Sequence, residues 1–581
     1  MSAPQHEQDE SAGAAGAAAG VADGAARVIG VLGAGTMGAG IAQLACRAGA
    51  QTFLHDPMPE ALARGVERVA EGLQREVARG RLEPERAAAA RESLHPVAEL
   101  AAFADCELVI EAVPERLELK HELYRQLSNV VSESCVLASN TSSLLVTAIA
   151  AAADRPERVV GMHFFNPAPV MRLLEVVAGE QSSAAALALA DATGAAMGKT
   201  VIRAHDGPGF LVNRCNRPFG LEALRLLQEQ IADIETIDRI CRMTGGFRMG
   251  PFELMDLVGV DTGFEISQSF YAQSFGEPRW RPSPIAARYV AAGLHGRKSG
   301  RGYYTYDGDG AQPGGAKGGH SHRPADPDPV PGAGPGAGEG VVVIGGQNAL
   351  ADELREAARD AGYQVRSPAD PGGVFPALIV DCDRTPSSPR RASGPEAGHP
   401  DRRGQGRAQA QGGVNLVLCA TGSLGALDPG GSAVGFHALP PLKDARLLEL
   451  TRTESSSPLA AARAERFFNA LGKHVVWVGD APGLVLGRIV CQLINEAAFA
   501  LGEGVGEPRD IDLGMVLGLS HPRGPLEWAD AIGLEHVLAV LDALSGEYRE
   551  ERYRAAPILR RMAAAGRLGR AAGAGFFEYE D

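Results

Sequence analysis

Short apolar runs alternate with longer stretches of helical periodicity over the first two hundred residues. Val28–Leu32 is apolar and β-branched, which predicts a buried parallel strand. A helical pattern follows, and Thr52–His55 predicts a second strand that closes on Asp56. Cys106–Val113 and Val136–Ala138 predict two further strands. Strands separated by helices in this way predict a doubly wound α/β domain.

The pattern changes after residue 205. Asp206–Phe210 is a cluster of chain breakers and predicts a domain joint. Helical periodicity then runs from Leu211 to Leu294, which predicts an all-α domain. Residues 308–340 are dense in Gly and Pro and almost free of aliphatic side chains, so they predict a flexible linker.

A glycine-rich turn, Gly33-Ala34-Gly35-Thr36-Met37-Gly38, joins the first strand to the first helix. In a dinucleotide site the first glycine permits the turn, the second admits the pyrophosphate and the third allows close packing. The helix N-terminus offers N–H groups to the phosphates. Asp56 follows Gly33 by 23 residues, where its carboxylate can bind both ribose hydroxyls and repel a 2′-phosphate. The pattern predicts an NAD site; the alternative is a glycine-rich turn without a ligand.

A histidine and a carboxylate lie in two successive apolar runs. His163 follows Val159 and Val160, and Glu175 lies within Leu173–Val177. Two neighbouring strands could bring the side chains together, and a carboxylate that orients an imidazole makes it an effective proton acceptor. The alternative is a core histidine beside a strand-end carboxylate.

Three further positions stay ambiguous on their own. Residues 139–143 (Ser-Asn-Thr-Ser-Ser) follow a predicted strand, where open α/β sheets bind ligands, but the same residues are also favoured helix caps. Asn213 lies in the first turns of a predicted helix, where a solvated or capping amide is the more common role. Lys298 is either a surface lysine or a cofactor contact.

The second half of the chain repeats the first. A shift of 274 positions aligns identical residues without a gap, which indicates a tandem duplication of the strand pair and the helical domain. Gly161, His163, Glu175, Gly198, Lys199, Pro208, Gly209, Arg214, Glu222, Asp238, Pro251, Asp256 and Gly259 align with Gly435, His437, Glu449, Gly472, Lys473, Pro482, Gly483, Arg488, Glu496, Asp512, Pro525, Asp530 and Gly533.

The second copy has lost the residues that a cofactor needs. Val341–Gly345 resembles a strand with its first glycine, but Gln347 and Leu350 replace the other two glycines. A β-carbon at those positions blocks the pyrophosphate. Asn166 and Asn213 align with Pro440 and Gly487, and Lys298 aligns with Ala571 at a shift of 273. We therefore predict that this copy binds no cofactor and that its histidine and glutamate are retained scaffold.

The predicted fold class is an α/β Rossmann-type NAD-binding domain and an all-α domain, followed by a degenerate second copy of both. The predicted segments are a disordered tail (1–26), the NAD-binding domain (27–205), a helical substrate and dimerisation domain (206–307), the linker (308–340), a degenerate Rossmann-like domain (341–480) with a disordered insertion near 384–413, and a second helical domain (481–581).

Composition excludes several classes of function. A net charge of −15 argues against nucleic acid and anionic membrane partners. The 8 cysteines have no metal-ligand spacing, so we predict no metal and a reducing, cytoplasmic setting. The N-terminal tail lacks the basic start and apolar core of a signal peptide, and no apolar run is long enough to span a membrane.

Six motifs occur in a characteristic order: GAGTMG, SNTSS, HFFNPAPVMxLxEV, DxPGFxxNR, GxxxGPFELxD and GRKSGxGYY. Together they closely resemble the L-3-hydroxyacyl-CoA dehydrogenase family over Arg27 to Asp307. The two helical domains are similar to the layout of the bacterial 3-hydroxybutyryl-CoA or 3-hydroxyadipyl-CoA dehydrogenases, including those of phenylacetate breakdown.

The resemblance implies roles for individual residues. It implies that the catalytic residues are Ser142, His163, Glu175 and Asn213. It implies that NAD is bound by Gly33, Ala34, Gly35, Thr36, Met37, Gly38, Asp56, Glu115, Lys120, Asn140 and Lys298. It implies that Ser142, Asn166 and Asn213 contact the substrate.

The resemblance also implies an activity, the reversible NAD-dependent oxidation of an (S)-3-hydroxyacyl-CoA, as in fatty-acid β-oxidation. Two alternatives remain at this point, a dehydrogenase of a free hydroxyacid or sugar acid and a non-catalytic NAD-binding scaffold. Helical domains form the dimer contact in the family, so the two copies are expected to pack as a pseudo-dimer within the chain, with a homo-oligomer as a further possibility.

Overall fold

A computed structural model describes residues 23–306, 325–370, 375–386 and 415–580. The chain forms two compact units, one made of the segments up to Thr141 and Val146–Val201, the other of Ser142–Leu145 and the chain from Ile202 onwards. Most of the predicted tail, the first part of the linker and most of the insertion near 384–413 lie outside the described residues.

The strands are β1 (Val28–Leu32), β2 (Gln51–His55), β3 (Leu94–Val97), β4 (Leu108–Glu111), β5 (Val136–Ser139), β6 (Val159–Phe164), β7 (Leu173–Ala178), β8 (Thr200–His205), β9 (Val341–Gly345), β10 (Gln364–Arg366), β11 (Leu378–Asp381), β12 (Leu416–Leu418), β13 (Val434–His437), β14 (Leu447–Thr451) and β15 (His474–Trp477). The first helices are α1 (Thr36–Arg47), α2 (Pro59–Ala78), α3 (Pro84–Glu92), α4 (Leu117–Ser128), α5 (Val146–Ala150), α6 (Ala184–Ala196), α7 (Val212–Cys215), α8 (Arg217–Gln228), α9 (Ile234–Met243) and α10 (Pro251–Val258). The later helices are α11 (Val260–Gln273), α12 (Pro284–Ala291), α13 (Ala349–Ala361), α14 (Leu424–Leu427), α15 (Pro458–Ala470), α16 (Leu486–Gly502), α17 (Pro508–Leu519), α18 (Pro525–Ile532), α19 (Leu534–Tyr548) and α20 (Pro557–Ala564).

The first sheet has the strand order β3-β2-β1-β4-β5-β6-β7-β8. Strands β1 to β6 pair in parallel, and β7 runs antiparallel to β6. The apolar runs become strands because both faces are buried, and Ile29, Val31 and Ile110 lie in the core. This confirms the predicted Rossmann-type domain.

Strand β3 was not predicted from the sequence. It contains Pro96 and lies at the edge of the sheet, beside β2. A proline removes one ladder donor, which an edge strand tolerates but a central strand does not. The four residues are also too few to show a period.

The second sheet has the order β10-β9-β11-β12-β13-β14-β15, with β13 and β14 antiparallel. As far as the structure describes it, this sheet repeats the first one without a counterpart of β3. The segments that correspond to α2 and α3 are absent as well, because β10 leads to β11 without an intervening helix in the described residues. The predicted duplication is therefore confirmed.

The two helical copies pack on each other within the second unit. Helix α16 of the second copy packs along α8 of the first. Arg214 Nε lies 2.9 Å from Glu496 Oε1, and Arg488 pairs with Glu222 in the same way. The 274-residue shift converts each of these ion pairs into the other. A two-fold axis produces reciprocal contacts of this kind, in which each residue of one copy contacts the partner of its equivalent in the other.

The described residues contain neither a membrane-spanning helix nor a cluster of metal ligands. No helix among them is both long and apolar enough to cross a membrane. Within the same ranges, no group of three or more His, Cys, Asp or Glu side chains is arranged to hold a metal ion.

Candidate active site

The glycine loop has the geometry that a dinucleotide requires. Gly33 has a φ of +90°, and a β-carbon there would lie 2.7 Å from the carbonyl oxygen of Ala112. A β-carbon on Gly38 would lie 1.7 Å from the oxygen of Gly33. Gly35 is different because a β-carbon there would meet nothing within 4 Å. The open space therefore lies at the glycine where a pyrophosphate would approach the backbone.

Helix α1 begins directly after Gly35 without a side-chain cap and without an acidic residue in its first turn. Its N–H groups and positive end are therefore available to phosphate oxygens. Asp56 is held at the end of β2, where its Oδ2 accepts a hydrogen bond from the Ala34 N–H at 2.9 Å. Its Oδ1 accepts another from the Met58 N–H at 3.0 Å. The carboxylate is thus fixed beside the loop, and these residues fit NAD.

Lys120 and Glu115 belong to a buried charge network. The Lys120 ammonium, 1% exposed, lies 2.7 Å from Glu111 and 3.3 Å from Glu115. Ser139 donates to Glu111 at 2.8 Å, and Thr141 donates to Glu115 at 2.6 Å. Lys120 is therefore paired with two carboxylates. Any effect of Lys120 on NAD would be indirect, because the lysine holds Glu115 in place.

Sequence reasoning missed one member of this network, Glu111. Glu111 lies within the apolar run that forms β4 and is fully buried. A carboxylate inside such a run requires a cationic or hydrogen-bonding partner, because an unpaired buried charge is costly. The need for such a partner was the sign in the sequence that could have revealed Glu111, and Lys120 is the partner.

The strand ends of β5 and β6 position the next predicted residues. Asn140 follows β5, and its Oδ1 accepts a hydrogen bond from the Phe164 N–H at 2.9 Å. Asn166 follows β6 and is exposed. Ser142 is also exposed, and it belongs to the short segment that clusters with the second unit.

His163 and Glu175 are direct cross-strand partners on β6 and β7. His163 Nδ1 lies 2.6 Å from Glu175 Oε2. Glu175 is fully buried, and His163 is 6% exposed. A short contact between an imidazole nitrogen and a carboxylate is a charge-assisted hydrogen bond, which fixes the ring and the Nδ1–H tautomer. Nε2 is then the nitrogen that can accept a proton.

Asn213 and Lys298 lie in the second unit. Asn213 is half-buried in α7, and its backbone carbonyl accepts a hydrogen bond from Arg217 Nε at 3.2 Å. Lys298 lies 2.6 Å from Asp261 Oδ1. Burial of Asp261 opposes its ionisation, but the hydrogen bonds from Lys298 and the Thr262 N–H, together with the charge of Lys298, outweigh it and lower the pKa of the carboxyl. Lys298 therefore already has a counter-ion within its own domain.

The second copy keeps the backbone of the histidine–glutamate pair but not its hydrogen bond. His437 and Glu449 are still cross-strand partners. Glu449 instead accepts the N–H groups of Val485 and Leu486 at 2.6 and 3.0 Å. His437 Nε2 lies 3.1 Å from His536 Nε2, and burial and this neighbour lower the pKa of His437 well below its usual value. His437 is sealed from solvent and its Nε2 faces another imidazole, so the two rings do not form a proton-accepting site.

The second glycine loop is filled by its own side chains. Asn348 caps α13 by accepting the Ala351 N–H at 2.9 Å. The Gln347 N–H donates to Asp383 Oδ2 at 3.2 Å. A capped helix start beside a carboxylate repels phosphate instead of binding it.

An oxidoreductase that uses a nicotinamide dinucleotide is the class of protein to which this fold and this site correspond. The family model for the NAD-binding domain of 3-hydroxyacyl-CoA dehydrogenase matches residues 28–207. The model for the C-terminal domain matches residues 209–306 and again 483–579. The chain belongs to the 3-hydroxyacyl-CoA dehydrogenase family.

Individual relatives agree with this assignment. The chain is 34% identical to 3-hydroxyadipyl-CoA dehydrogenase of Escherichia coli over 92% of its own length and 97% of the relative's. It is 40% identical to a probable 3-hydroxybutyryl-CoA dehydrogenase of Deinococcus radiodurans over 48% of its own length and 99% of the relative's. A crystal structure of 3-hydroxybutyryl-CoA dehydrogenase from E. coli matches with a TM-score of 0.73 and 32% identity over 93% of this chain and 98% of that one.

Proposed function

We propose that the chain catalyses the reversible NAD-dependent oxidation of an (S)-3-hydroxyacyl-CoA to a 3-ketoacyl-CoA. The observation that carries the proposal is the buried hydrogen bond between His163 and Glu175, 2.6 Å long, in the copy that also keeps an open glycine loop. The second copy has neither feature. The names of the relatives, which act on hydroxybutyryl-CoA and hydroxyadipyl-CoA, support a hydroxyacyl-CoA substrate.

His163 is the proposed general base. Its Nε2 removes the proton of the C3 hydroxyl while the C3 hydrogen leaves with its electron pair, so that the C–O bond becomes a carbonyl. NAD, when bound, supplies the acceptor for that hydride. General-base assistance of this kind contributes roughly 10²–10⁴ in rate.

Glu175 acts through His163. It keeps the imidazole in the Nδ1–H tautomer and stabilises the imidazolium that forms when Nε2 takes the proton. Because Glu175 is fully buried, its charge is poorly screened by water and its effect on the ring is strong.

We propose three further roles on the strength of the family resemblance. Ser142 donates a hydrogen bond to the C3 oxygen, and Asn213 holds the imidazole or the thioester carbonyl. Within the described residues, the side-chain amide of Asn213 has no hydrogen-bond partner, which supports a role toward a ligand. Glu115, positioned by Lys120, is proposed to contact NAD.

The duplication provides a matched test. Replacement of His163 by Gln should lower kcat for acetoacetyl-CoA reduction by NADH by roughly 10²–10⁴-fold. Replacement of His437 by Gln changes the equivalent residue of the second copy and should leave kcat of the folded enzyme unchanged. Wild-type turnover by the His163→Gln variant would refute the assignment. If only the His437→Gln variant lost activity, the chemistry would belong to the second copy.

We infer that the two helical copies form a pseudo-dimer that replaces the contact between two chains. The reciprocal ion pairs Arg214–Glu496 and Arg488–Glu222 support this. A relative of about half this length is matched over 99% of its own length by only 48% of this chain. A fragment ending at Gly310 should therefore self-associate in sedimentation experiments, and a monomeric fragment would contradict the inference.

We also propose that the enzyme works in a reducing compartment such as the cytoplasm. All 8 cysteines are buried and none forms a disulfide. An oxidising compartment would more commonly be accompanied by disulfides. Fractionation of cells that produce the protein would test this, and recovery with secreted proteins would contradict it.

A further inference from the structure

Helix α2 packs directly against the glycine loop of the first copy. A β-carbon on Gly65, in the middle of this helix, would lie 2.6 Å from the Cβ of Ala34 and 2.9 Å from its carbonyl oxygen. Glycine at this position therefore lets the helix backbone come closer to the loop than any other residue would. The close approach brings the next turn of α2 to the edge of the dinucleotide site.

That next turn carries a cation. Arg68 follows Gly65 by three residues, so the two lie on the same face of the helix. Its Nη1 donates a hydrogen bond to the carbonyl oxygen of Ala34 at 3.2 Å. Ala34 directly precedes Gly35, the glycine that has open space where a pyrophosphate would approach. The guanidinium is thus held at the loop by one N–H group.

The rest of the Arg68 side chain is available to a ligand. It is exposed, and among the described residues it has no acidic partner within 4 Å and no second hydrogen bond. Other arginines nearby are already engaged, since Arg47 lies 3.0 Å from Glu76 and Arg75 donates to the Glu71 carbonyl oxygen of its own helix at 3.3 Å. Unpaired surface arginines are common, but this one is bonded to a loop suited to phosphates, and a guanidinium binds phosphate oxygens well.

The electrostatics of the loop also favour a cation here. Asp56 accepts the Ala34 N–H at 2.9 Å, which places a carboxylate beside the loop. This carboxylate suits ribose hydroxyls but repels the two negative charges of a pyrophosphate. Arg68 binds the other side of the same peptide unit, so its charge offsets that repulsion.

The arginine beside the loop of the second copy is neutralised instead. Arg355, on α13, donates to the carbonyl oxygens of Ile344, at 3.2 Å, and Gly346. Its Nη1 lies 2.6 Å from Asp352 Oδ1, so it has a counter-ion. The described residues of that copy contain no counterpart of α2. An arginine without a counter-ion therefore accompanies the open loop, and an ion-paired one accompanies the filled loop.

We propose that Arg68 binds the pyrophosphate of NAD and completes the coenzyme site together with the N-terminus of α1. The inference rests on the NAD site of the proposed function and adds a side chain to it. CoA also carries phosphates, but Ala34, to which Arg68 is anchored, belongs to the loop that fits the dinucleotide.

The test measures binding of NADH to the full-length protein without acyl-CoA, through the change in NADH fluorescence. Replacement of Arg68 by Met should raise Kd about 10-fold, the lower end of the range for a hydrogen bond between charged groups. ADP-ribose, measured by competition, should lose the same factor, because it keeps the pyrophosphate and lacks the nicotinamide. An increase in NaCl from about 0.05 to about 0.5 M should weaken NADH binding more in the wild type than in Arg68→Met, since salt screens an exposed charge pair.

Arg75→Met is the matched control, because it removes the same charge from the same helix. Its Kd for NADH should stay within about twofold of the wild type. Arg68→Lys keeps the charge and should recover part of the binding lost in Arg68→Met.

An unchanged Kd for NADH in Arg68→Met, or an equal rise in Arg75→Met, would overturn the proposal. A loss confined to NADH and absent for ADP-ribose would overturn it as well. A rise in KM for acetoacetyl-CoA with an unchanged Kd for NADH would assign Arg68 to CoA instead. The Kd values decide the inference without turnover, whereas a wild type that binds NADH but does not reduce acetoacetyl-CoA would refute the proposed function alone.

Discussion

The ion pairs between the two helical copies allow a quantitative prediction. Arg488 is fully buried, and it contacts Glu222 through Nε and Glu229 through Nη1 and Nη2 at 2.6 and 3.0 Å. Tyr553 donates to the same Glu222 at 2.9 Å. Replacement of Arg488 by Met removes the main counter-charge of Glu222, which is 3% exposed, and leaves Arg225 at 3.8 Å.

The expected cost follows from that burial. Removal of one partner from a buried pair typically costs about 3–5 kcal/mol, because the other charge stays buried without compensation. The distant Arg225 recovers only part of this, so we expect a loss of about 3–4 kcal/mol.

The symmetry-related pair provides the control. Replacement of Arg214 by Met removes the contact with Glu496 at 2.9 Å, but Arg279 Nη1 still lies 2.8 Å from the same carboxylate. Glu496 therefore keeps a close counter-charge. We expect a loss of about 1–2 kcal/mol, the usual cost of one charged hydrogen bond.

Urea unfolding followed by tryptophan fluorescence reports on the structural unit that contains these ion pairs. The 3 tryptophans are Trp280, Trp477 and Trp528, and all lie in the second unit. The double variant Arg488→Met with Glu222→Leu removes both charges and should recover at least half of the loss. A loss below about 1 kcal/mol for Arg488→Met, or an equal loss for Arg214→Met, would refute the reasoning.

Three further predictions concern the site and the interface. Replacement of Glu175 by Gln should lower kcat by roughly 10²–10⁴-fold, because the carboxylate that fixes the tautomer of His163 is lost. The same change at Glu449 should lower the urea midpoint but leave kcat unchanged. Equal kcat values for the two variants would count against the proposed role of Glu175. Replacement of Asp56 by Ala should raise the ratio of kcat/KM with NADP to that with NAD, since the carboxylate no longer repels a 2′-phosphate, and an unchanged ratio would argue against its placement. Burial lowers the pKa of His521 to about 4, below the usual 6.5, so the unfolded chain takes up this proton first and stability falls as pH drops from 6.5 to 4. The loss of stability between the two pH values should therefore be smaller in His521→Gln than in the wild type by about 3 kcal/mol, as measured by urea unfolding.

Much of the first unit follows from the sequence because its elements are local. The strand β1 has the predicted ends, Val28 and Leu32, and the glycine loop follows it directly. His163 and Glu175 were placed on neighbouring strands because both lie in apolar runs separated by a single turn region. The register that sets them directly opposite each other depends on the antiparallel pairing, which the sequence alone does not specify.

Other features depend on contacts between distant residues, and periodicity does not reveal those. The predicted helix from Leu211 is interrupted at Asn216, between α7 and α8, whereas its repeat α16 continues unbroken. The counter-ion of Lys298 is Asp261, which is 37 residues away, so a helical pattern gives no indication of it.

The two copies together show how an active site is converted into scaffold. In the second copy Gly487 replaces the asparagine at position 213, and a β-carbon there would lie 2.1 Å from His437 Cε1. The missing side chain leaves room for His437 to lie against His536, so the loss of this polar residue accompanies the loss of the proposed base. The second copy nevertheless keeps Arg488 and Glu496, which form the contact with the first. Retention of the interface residues alongside loss of the site residues is expected if the second copy serves to cover the helical face that α8 would otherwise expose to water.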